Sequence, residues 1–469
     1  MKKIKFGTGG FRAVIGEEFT RANVVKICQA MSNIINEKNY KKNICIGFDN
    51  RFMSEQCAVW CSEVFAGNGI KVHLFDCATS TPVAMYATKI NNNDFGIMIT
   101  ASHNPYEYNG IKVFALEGRD ASVEQTQEIE REIDKLSIIK RMAFDKALGK
   151  MIIKKNYIVD YLINILNLFD LTEQGGGLKV VFDNKFGSTA KAIQMLSDKI
   201  GCEYKIINEN RDAFFGFIPP APTPENISDL RAEVLKTRAH IGFSLDADGD
   251  RLAVIDEKGN YIDNNYILAV AYYFFVKYYG KKGGSVKNIA TSNLLTVLTE
   301  KMGYKCYEVP VGFKYVSSAL IENQAVVGGE SSGGLAIHGH IWGKDSLLAI
   351  AICLKAMIVM KKTFSEILKE VKEFVGGYEK VICDKQYSYN SAQKELIDKI
   401  LFQNKQTPQH RYKVSDVVYC DYIKVYYANG NWSLIRFSGT EPILRIVAEA
   451  DSGEECQMII KDWEELLKL

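Results

Sequence analysis

Two short polar segments carry side chains suited to catalysis. The first, TASHNP at residues 100–105, presents Ser102 and His103 directly after FGIMI, an apolar stretch that predicts a strand. A serine at a strand end is a candidate nucleophile, although most serines in such positions cap a helix or a turn. Ser102 does not lie in the Gly-x-Ser-x-Gly pattern of a hydrolase nucleophile, so that interpretation of Ser102 fails.

The second segment, DADGDR at residues 246–251, contains the alternating aspartates Asp246, Asp248 and Asp250. Carboxylates at this spacing raise one another's pKa unless a cation lies among them, and Mg²⁺ prefers such hard oxygen ligands. An EF-hand loop would need glycine at the position of Arg251, so calcium binding of that type is excluded. The alternative is a solvated acidic turn.

A glycine-rich segment, GGESSGG at residues 328–334, predicts a close approach of the backbone to a ligand. Glu330 and Ser332 supply an acceptor and a hydroxyl, a pair suited to the hydroxyls of a sugar. Because glycine-rich turns are common, this signal is weak by itself.

A fourth segment, RFSGTEP at residues 436–442, follows a strand pattern and predicts a phosphate site. Guanidinium groups together with the donors of a tight turn bind phosphate well, whereas an ordinary β-turn is the alternative. The residues concerned are Arg436, Ser438, Gly439, Thr440 and Arg445.

The elements around these segments alternate strand and helix patterns, which predicts sheets covered by helices. The length of 469 residues suggests about three or four domains. Three successive units show the alternation, and the last part of the chain changes to an α+β pattern. Ligands bind at the carboxyl ends of strands in open sheets, so the polar loops there are where a site is expected. The predicted domains are 1–150, 151–257, 258–373 and 374–469.

The composition is ordinary for a soluble globular protein, with 47% apolar and 24% charged residues. The net charge of +2, with the two signs mixed, argues against a nucleic acid or a membrane surface as partner. Two apolar stretches are candidates for membrane-spanning helices. Tyr266–Val276 is too short to span a bilayer, and Lys355 interrupts Leu347–Met360, so we predict that both are buried helices.

The eleven cysteines are scattered and no signal peptide is recognisable, which predicts reduced thiols in a cytoplasmic protein. Cys57 and Cys61 lie one helical turn apart. That spacing suits a metal pair, but it is far more typical of the core-facing side of a helix. The oligomeric state is left open.

Together the four segments resemble one family, the α-D-phosphohexomutases of the phosphoglucomutase/phosphomannomutase superfamily. FGTGGFR at residues 6–12, GFDNR at 47–51 and VGFKY at 311–315 match as well, so the resemblance runs from Phe6 to Arg445. The form GGESSGG…GHIWGKDSLLA is most similar to the bacterial and archaeal branch.

The resemblance implies a fold and an activity. The fold would be three similar α/β domains with mixed, helix-covered sheets and a C-terminal α+β domain of the TATA-box-binding-protein-like type, around a central cleft. The enzyme would interconvert hexose 1-phosphate and hexose 6-phosphate through a phosphoserine and a sugar 1,6-bisphosphate. It would need Mg²⁺ and, as activator, glucose 1,6-bisphosphate or the matching sugar bisphosphate.

The resemblance also implies roles for individual residues. Ser102 would carry the phosphoryl group, and Ser102 with Asp246, Asp248 and Asp250 would hold Mg²⁺. The residues that would contact the phosphorylated sugar are Arg251, Lys314, Glu330, Ser332, Arg436, Ser438, Gly439, Thr440 and Arg445.

The reaction needs a group that moves a proton to and from the sugar hydroxyl. Lys112 and Arg12 match positions that the family brings near the phosphoserine, and Lys112 is the favoured base. His103 is the obvious histidine in the sequence, and bracing the loop is its alternative role.

Departures from the family pattern bear on the choice of sugar. Gly334 stands where many relatives have a histidine, and Ser331 and Val309 differ as well. Glucose is the expected sugar, with mannose second. A phosphopentomutase or a phosphoglucosamine mutase of the same family is the alternative.

Three more distant functions were considered. An aspartate-nucleophile phosphatase also uses Asp-x-Asp after a strand, but it would leave TASHNP and RFSGTEP without a function. A glycosyltransferase with an Asp-x-Asp metal site would need a nucleotide sugar. A non-catalytic relative usually loses the nucleophile or a metal ligand, whereas Ser102 and all three aspartates are present.

Overall fold

A computed structural model describes residues 3–7, 9–409, 411–438 and 442–469. These residues form four sheets, which in chain order contain seven, five, four and five strands. The predicted fold class, three helix-covered α/β units and a C-terminal α+β unit, is confirmed.

The first unit has a mixed sheet. Its strands are β1 (Phe11–Val14), β2 (Asn43–Phe48), β3 (Lys71–Phe75), β4 (Phe95–Ile99), β5 (Tyr108–Ala115), β6 (Arg119–Asp120) and β7 (Ile152–Lys155). Its helices are α1 (Arg21–Glu37), α2 (Ser54–Gly67), α3 (Thr81–Ile90), α4 (Val123–Ile133) and α5 (Phe144–Ala147). The order is β1-β5-β4-β2-β3-β7, with β6 beside β5, and β2, β3, β4 and β7 are parallel. Helix α3 packs so closely on β4 that a Cβ at Gly96 would lie 2.0 Å from the hydroxyl of Thr88.

The second unit begins with α6 (Ile158–Phe169) and has the sheet order β12-β11-β10-β8-β9. Its strands are β8 (Lys179–Asp183), β9 (Glu203–Ile207), β10 (Ile241–Leu245), β11 (Leu252–Asp256) and β12 (Tyr261–Ile262), and its other helices are α7 (Ala190–Ile200) and α8 (Ser228–Thr237). The proline-rich segment between β9 and α8 contains two 3₁₀ turns, Phe215–Phe217 and Pro224–Asn226.

The third unit has a four-stranded sheet in the order β14-β13-β15-β16. Its strands are β13 (Ser285–Asn288), β14 (Cys306–Val309), β15 (Val327–Gly329) and β16 (Leu335–Ile337). Its helices are α9 (Asn264–Lys277), α10 (Leu294–Lys301), α11 (Phe313–Glu322), α12 (Ser346–Met360) and α13 (Phe364–Phe374). The two apolar stretches predicted as buried helices fall on α9 and α12, and nearly every residue of both is buried.

The fourth unit has an antiparallel sheet in the order β17-β21-β20-β19-β18. Its strands are β17 (Val381–Ser388), β18 (Val414–Tyr419), β19 (Tyr422–Tyr427), β20 (Trp432–Phe437) and β21 (Ile443–Ala450), and its helices are α14 (Ser391–Asp398), a π-helical turn (Lys399–Gln403) and α15 (Gly453–Leu467).

The sheets extend past two of the domain limits expected from the sequence. Strand β7 belongs to the first sheet although it lies beyond residue 150, and β12 belongs to the second sheet although it lies beyond residue 257. Cys57 and Cys61 are buried in the core, as the more common interpretation of their spacing predicted. Among the described residues no helix is long and apolar enough to cross a membrane.

One apolar core runs through the first three units, from Phe11 to Val371. The fourth unit has a core of its own, and a small cluster that includes Ile289, Tyr422 and Trp432 joins it to the third unit. The first three units are therefore held together by one core, whereas the end of β20 is held to them through this smaller attachment.

Lys424 lies at the attachment between the third and fourth units. Its ammonium donates to the carbonyl of Ile289 at 2.7 Å and to Glu308 at 2.9 Å, and it lies 4.5 Å from the centre of the Trp432 ring. Burial and the neighbouring charge of Lys287 lower the pKa of Lys424 to about 7.

Lys424→Met should therefore change how stability depends on pH. In the unfolded chain Lys424 is protonated below its ordinary pKa of about 10.4, whereas in the folded chain it is protonated only below about 7. Between these two values the unfolded chain binds more protons, so the wild type loses stability as the pH falls from about 10.4 to about 7. We expect the unfolding temperature of the variant, relative to wild type, to be higher at about pH 7 than at about pH 9.5 by calorimetry. Lys385→Met, at an exposed site, should show the same difference at both values. Equal differences for Lys424→Met would contradict the lowered pKa.

Candidate active site

The carboxyl ends of β4 and β10 face each other where the first and second units meet. Ser102, in the loop after β4, donates its hydroxyl to Asp246 Oδ2 at 2.7 Å. At the start of α3, the amide of Thr81 donates to the carbonyl of Asp248 at 2.8 Å. The candidate nucleophile and the acidic segment, 144 residues apart in the chain, are thus in direct contact.

Ser102 itself is buried and has a backbone φ of 52°. This left-handed conformation costs on the order of 1 kcal/mol in a residue other than glycine. The hydroxyl lies 3.3 Å from His103 Nδ1. Burial and the charges of Arg251 and Arg12 hold the pKa of His103 well below its usual value, so a neutral imidazole stands beside the serine.

The three aspartates form a compact oxygen cluster, with one oxygen of each carboxylate within 4.8 Å of the others. Burial and the neighbouring charges of Asp248 and Asp250 raise the pKa of Asp246 well above its usual range. Asp248 Oδ1 and Asp250 Oδ1 are buried and have no hydrogen-bond partner among the described residues. Unpaired buried carboxylate oxygens in a cluster of hard donors fit a divalent cation such as Mg²⁺.

Lys112, on β5, supplies positive charge to this cluster. Its ammonium lies 2.6 Å from Asp248 Oδ2 and 2.6 Å from Asp250 Oδ2. Burial lowers the pKa of Lys112, but the two carboxylates raise it by more, so the pKa of Lys112 lies above its usual value. Burial raises the pKa of Asp250, but the positive charges of Lys112, Lys344 and Arg251 lower it by more and hold it below the usual range. An ammonium donates protons but does not accept them, so the predicted role of Lys112 as a base requires that the carboxylates find another cation.

Thr81 is a member of the cluster that the sequence reasoning missed. Its hydroxyl donates to Asp248 Oδ2 at 2.6 Å. The signal that was available is the segment Thr79-Ser80-Thr81-Pro82, which follows the third strand and begins helix α3. A polar turn at a strand end is the same feature that pointed to Ser102.

Arg12 and Arg251 border the serine loop. The guanidinium of Arg12 donates to the side-chain oxygen of Asn104 at 2.8 Å. Arg251 Nε lies 3.9 Å from Asp250 Oδ1. The structure therefore brings both predicted arginines to the same place as Ser102 and Lys112.

The glycine-rich segment after β15 presents Glu330 in a network of donors. Glu330 Oε1 accepts from the amide of Asn288 at 2.9 Å and from the backbone N–H of Gly312 at 3.0 Å. Lys344, which the sequence reasoning also missed, lies 2.7 Å from Glu330 Oε2 and donates to the hydroxyl of Ser332 at 3.2 Å. The predicted sugar contacts Glu330 and Ser332 are thus joined by one ammonium group.

The backbone at Gly334 explains why the histidine expected from the family resemblance is absent at this position. Its φ is 81°, and a Cβ there would lie 2.5 Å from the carbonyl of Asp250 and 2.7 Å from Lys344 Cβ. A histidine would therefore clash with both segments unless the backbone moved.

Asp120, the last residue of β6, lies between the serine and sugar segments. Burial and the charges of Asp250 and Glu330 raise the pKa of Asp120 to about 6, against the opposing charges of Lys112 and Lys344. Burial lowers the pKa of Lys314, and the negative charge of Asp120 raises it in part. The predicted residue Lys314 thus lies near the site, on its third-unit side.

The predicted phosphate segment lies at the end of β20. Burial and the charge of Arg445 lower the pKa of Arg436, and Glu330 opposes this shift, which places Arg436 within electrostatic range of the sugar segment. Arg445 pairs with Asp384, and the backbone N–H of Ser438 donates to Ile443 at 2.7 Å.

Gly439 and Thr440 lie outside the described residues. No hydrogen bond or ion pair among the described residues joins Arg436 or Arg445 to Ser102.

Comparison with known proteins agrees with this architecture. Models of the phosphoglucomutase/phosphomannomutase domains I, II, III and IV match residues 3–139, 158–259, 263–374 and 400–465. A phosphoglucosamine mutase of Prochlorococcus marinus is 30% identical over 96% of this chain and 94% of its own. The chain belongs to the phosphoglucomutase/phosphomannomutase family.

Two further comparisons support the family assignment. A phosphoglucomutase/phosphomannomutase of Thermococcus kodakarensis is 29% identical over 99% of both chains. A crystal structure assigned as a phosphomannomutase of Thermus thermophilus has a TM-score of 0.86 at 25% identity, over 100% of both chains. The chain is therefore an isomerase of the phosphohexomutase type, which acts on phosphorylated sugars. Because these relatives differ in the sugar that they are named for, the family leaves the sugar open.

Asp248→Asn should weaken the binding of Mg²⁺ to this phosphohexomutase at least about tenfold, since it removes one of the three charges that fit the cation. Isothermal titration of the metal-free protein with Mg²⁺ measures the affinity. Asp229→Asn, on the exposed side of α8, is the matched control and should bind as wild type does. Equal affinity in Asp248→Asn would place the metal elsewhere.

Proposed function

We propose that this enzyme interconverts hexose 1-phosphate and hexose 6-phosphate, with glucose preferred and mannose accepted, through phosphorylated Ser102. The observation that carries the proposal is the 2.7 Å contact from Ser102 Oγ to Asp246, beside a carboxylate cluster that fits Mg²⁺. A serine ester is an inert store for a phosphoryl group until acid–base partners and positive charge are in place.

The sugar phosphate binds between the third and fourth units in this proposal. Glu330 and Ser332 hold the sugar hydroxyls, and Arg251 and Lys314 border the same space. The phosphate that does not react is held through charge by Arg436 and Arg445, together with hydrogen bonds from Ser438, Gly439 and Thr440. Recognition by charge suits a site that must accept a phosphate on either end of the sugar.

The transfer moves one phosphoryl group and one proton. The sugar hydroxyl attacks the phosphorus, the bond to Ser102 Oγ breaks, and the proton of the hydroxyl passes through a base to the Ser102 oxygen. Lys112 would be the base when another cation balances the carboxylates, the neutral His103 is the other candidate acceptor, and Arg12 supplies positive charge beside them. Mg²⁺ held by Ser102 and the three aspartates would stabilise the negative charge of the transferring group.

The product of the first transfer is a sugar 1,6-bisphosphate and an unmodified serine. The bisphosphate must turn around before Ser102 takes back the other phosphoryl group. Added glucose 1,6-bisphosphate, or the bisphosphate of the matching sugar, should therefore activate enzyme that has lost its phosphoryl group.

Ser102→Ala tests the proposal. Initial rates are measured with Mg²⁺, catalytic bisphosphate and the 1-phosphates of glucose, mannose, glucosamine and deoxyribose. We expect wild type to convert glucose 1-phosphate fastest and Ser102→Ala to be inactive with all four, because no acceptor remains. Ser137→Ala, at an exposed serine, should behave as wild type does. Release of free phosphate without isomerisation, surviving in Ser102→Ala, would point to an aspartate nucleophile instead.

Phosphoglucosamine mutase is a second candidate, because the Prochlorococcus relative carries that name. The ammonium of Lys344, joined to Glu330 and Ser332, argues for a neutral sugar. A glucosamine phosphate brings its own ammonium group, and two like charges a few ångströms apart repel each other by on the order of 1 kcal/mol or more.

Lys344→Met should therefore shift the preference among sugars. We expect the ratio of kcat/KM for glucose 1-phosphate to that for glucosamine 1-phosphate to fall about tenfold, or about 1.4 kcal/mol. Glu330 keeps Asn288 and Gly312 as partners in this variant. Lys282→Met, at an exposed site, should leave the ratio unchanged. An unchanged ratio in Lys344→Met would remove Lys344 from the discrimination.

A further inference from the structure

Arg51 lies directly behind the loop that carries Ser102. It follows β2 in the segment GFDNR, and its side chain is fully buried. One terminal nitrogen donates to the carbonyls of Pro105 at 2.8 Å and Tyr108 at 3.0 Å. The other donates to the carbonyls of Ser102 and Asn104, both at 2.5 Å. One guanidinium thus binds four carbonyl groups of a seven-residue loop.

The charge of Arg51 is balanced by a second buried group. Arg51 Nε lies 3.4 Å from Asp49 Oδ2, and Asp49 Oδ1 accepts from the hydroxyl of Ser54 at 2.7 Å. A fully buried ion pair contributes little net stability, because desolvation offsets the attraction. Arginine is, however, the one residue whose side chain, a planar guanidinium with five N–H donors, can bind several carbonyls in fixed directions.

The carbonyls that Arg51 binds include that of the strained residue. A φ of 52° at Ser102 is unfavourable and persists only while the surroundings hold it. If the loop relaxed, the hydroxyl would leave its position 2.7 Å from Asp246. The contacts of Arg51 therefore maintain the backbone conformation that aims the nucleophile.

An aromatic ring from the second unit lies against the guanidinium of Arg51. The Arg51 guanidinium carbon lies 4.9 Å from the centre of the Phe215 ring, which is buried. Asp212 fixes the turn that carries this ring by accepting from the amides of Phe214 and Gly216, both at 2.9 Å. The aromatic ring thus links the serine loop of the first unit to the unit that carries the aspartates.

We propose that Arg51 is a positioning residue that holds Ser102 in its reactive conformation, with Phe215 setting the guanidinium against the second unit. This inference rests on the proposed phosphoserine function. It assigns a role to GFDNR and to the proline-rich segment of the second unit, neither of which touches the reacting atoms.

Arg51→Lys, Arg51→Met and Phe215→Leu test the role by steady-state kinetics. We expect kcat with glucose 1-phosphate to fall about a hundredfold in Arg51→Met, at least about tenfold in Arg51→Lys and about threefold in Phe215→Leu. KM should change less than about twofold, because the sugar and phosphate segments are untouched. Arg231→Lys, on the exposed side of α8, should match wild type.

A second readout follows the phosphorylation of Ser102 itself. Protein that intact mass shows to carry no phosphoryl group is mixed with glucose 1,6-bisphosphate and Mg²⁺, and the incorporated phosphoryl group is measured by intact mass against time. The rate should fall in the same order as kcat. If wild type incorporates no phosphoryl group at Ser102, the proposed function fails. If wild type and all the Arg51 and Phe215 variants incorporate it equally fast, only the role of Arg51 fails.

A merely structural role would give a different pattern. Lower unfolding temperature with unchanged kcat per folded molecule, or KM rising in parallel with the loss of activity, would overturn the proposal. Should both Arg51 variants fail to fold, Phe215→Leu decides, because it removes the ring that sets the guanidinium against the second unit. Wild-type kcat in Phe215→Leu would then reject the proposal.

Discussion

Three aspartates with one oxygen of each within 4.8 Å of the others can all stay ionised only if positive charge lies among them. The cations that lower the pKa of Asp250 come from different units, with Lys112 from the first, Arg251 from the second and Lys344 from the third. Because each cation belongs to a different unit, the charge balance depends on the meeting of the three α/β units at this point. Any metal that binds here enters a site whose protein charges are already arranged around it.

The fold gives the two halves of the site different degrees of constraint. Ser102 and the aspartates belong to units that share one apolar core, and Arg51 and Phe215 connect the serine loop to the second unit. The arginines of the fourth unit lie on a separate core, joined through a small cluster around Ile289 and Trp432. The proposed reaction, in which the intermediate turns around, calls for a precisely held nucleophile and a phosphate site that can move, and two separate cores are consistent with both.

The sugar segment shows how one backbone requirement alters chemistry. Gly334 takes a φ of 81° against the carbonyl of Asp250, which leaves no room for the imidazole that many relatives carry. The polar group that reaches Glu330 and Ser332 is instead the ammonium of Lys344. In the proposed function, this ammonium group is the feature that bears on the preference among sugars.

The sequence by itself determined the class of fold, the two buried helices α9 and α12, and the strand-end segments that hold Ser102, the aspartates and Glu330. These features are local, because periodicity, turn residues and polar strand ends act over a few neighbouring residues. Only the tertiary structure decided which groups meet. The contacts of Thr81 with Asp248, Lys112 with two aspartates, Lys344 with Glu330 and Arg51 with the serine loop join residues far apart in the chain or on facing segments. Such pairs depend on how sheets pack and on which charges burial forces together, and no spacing within a segment encodes that.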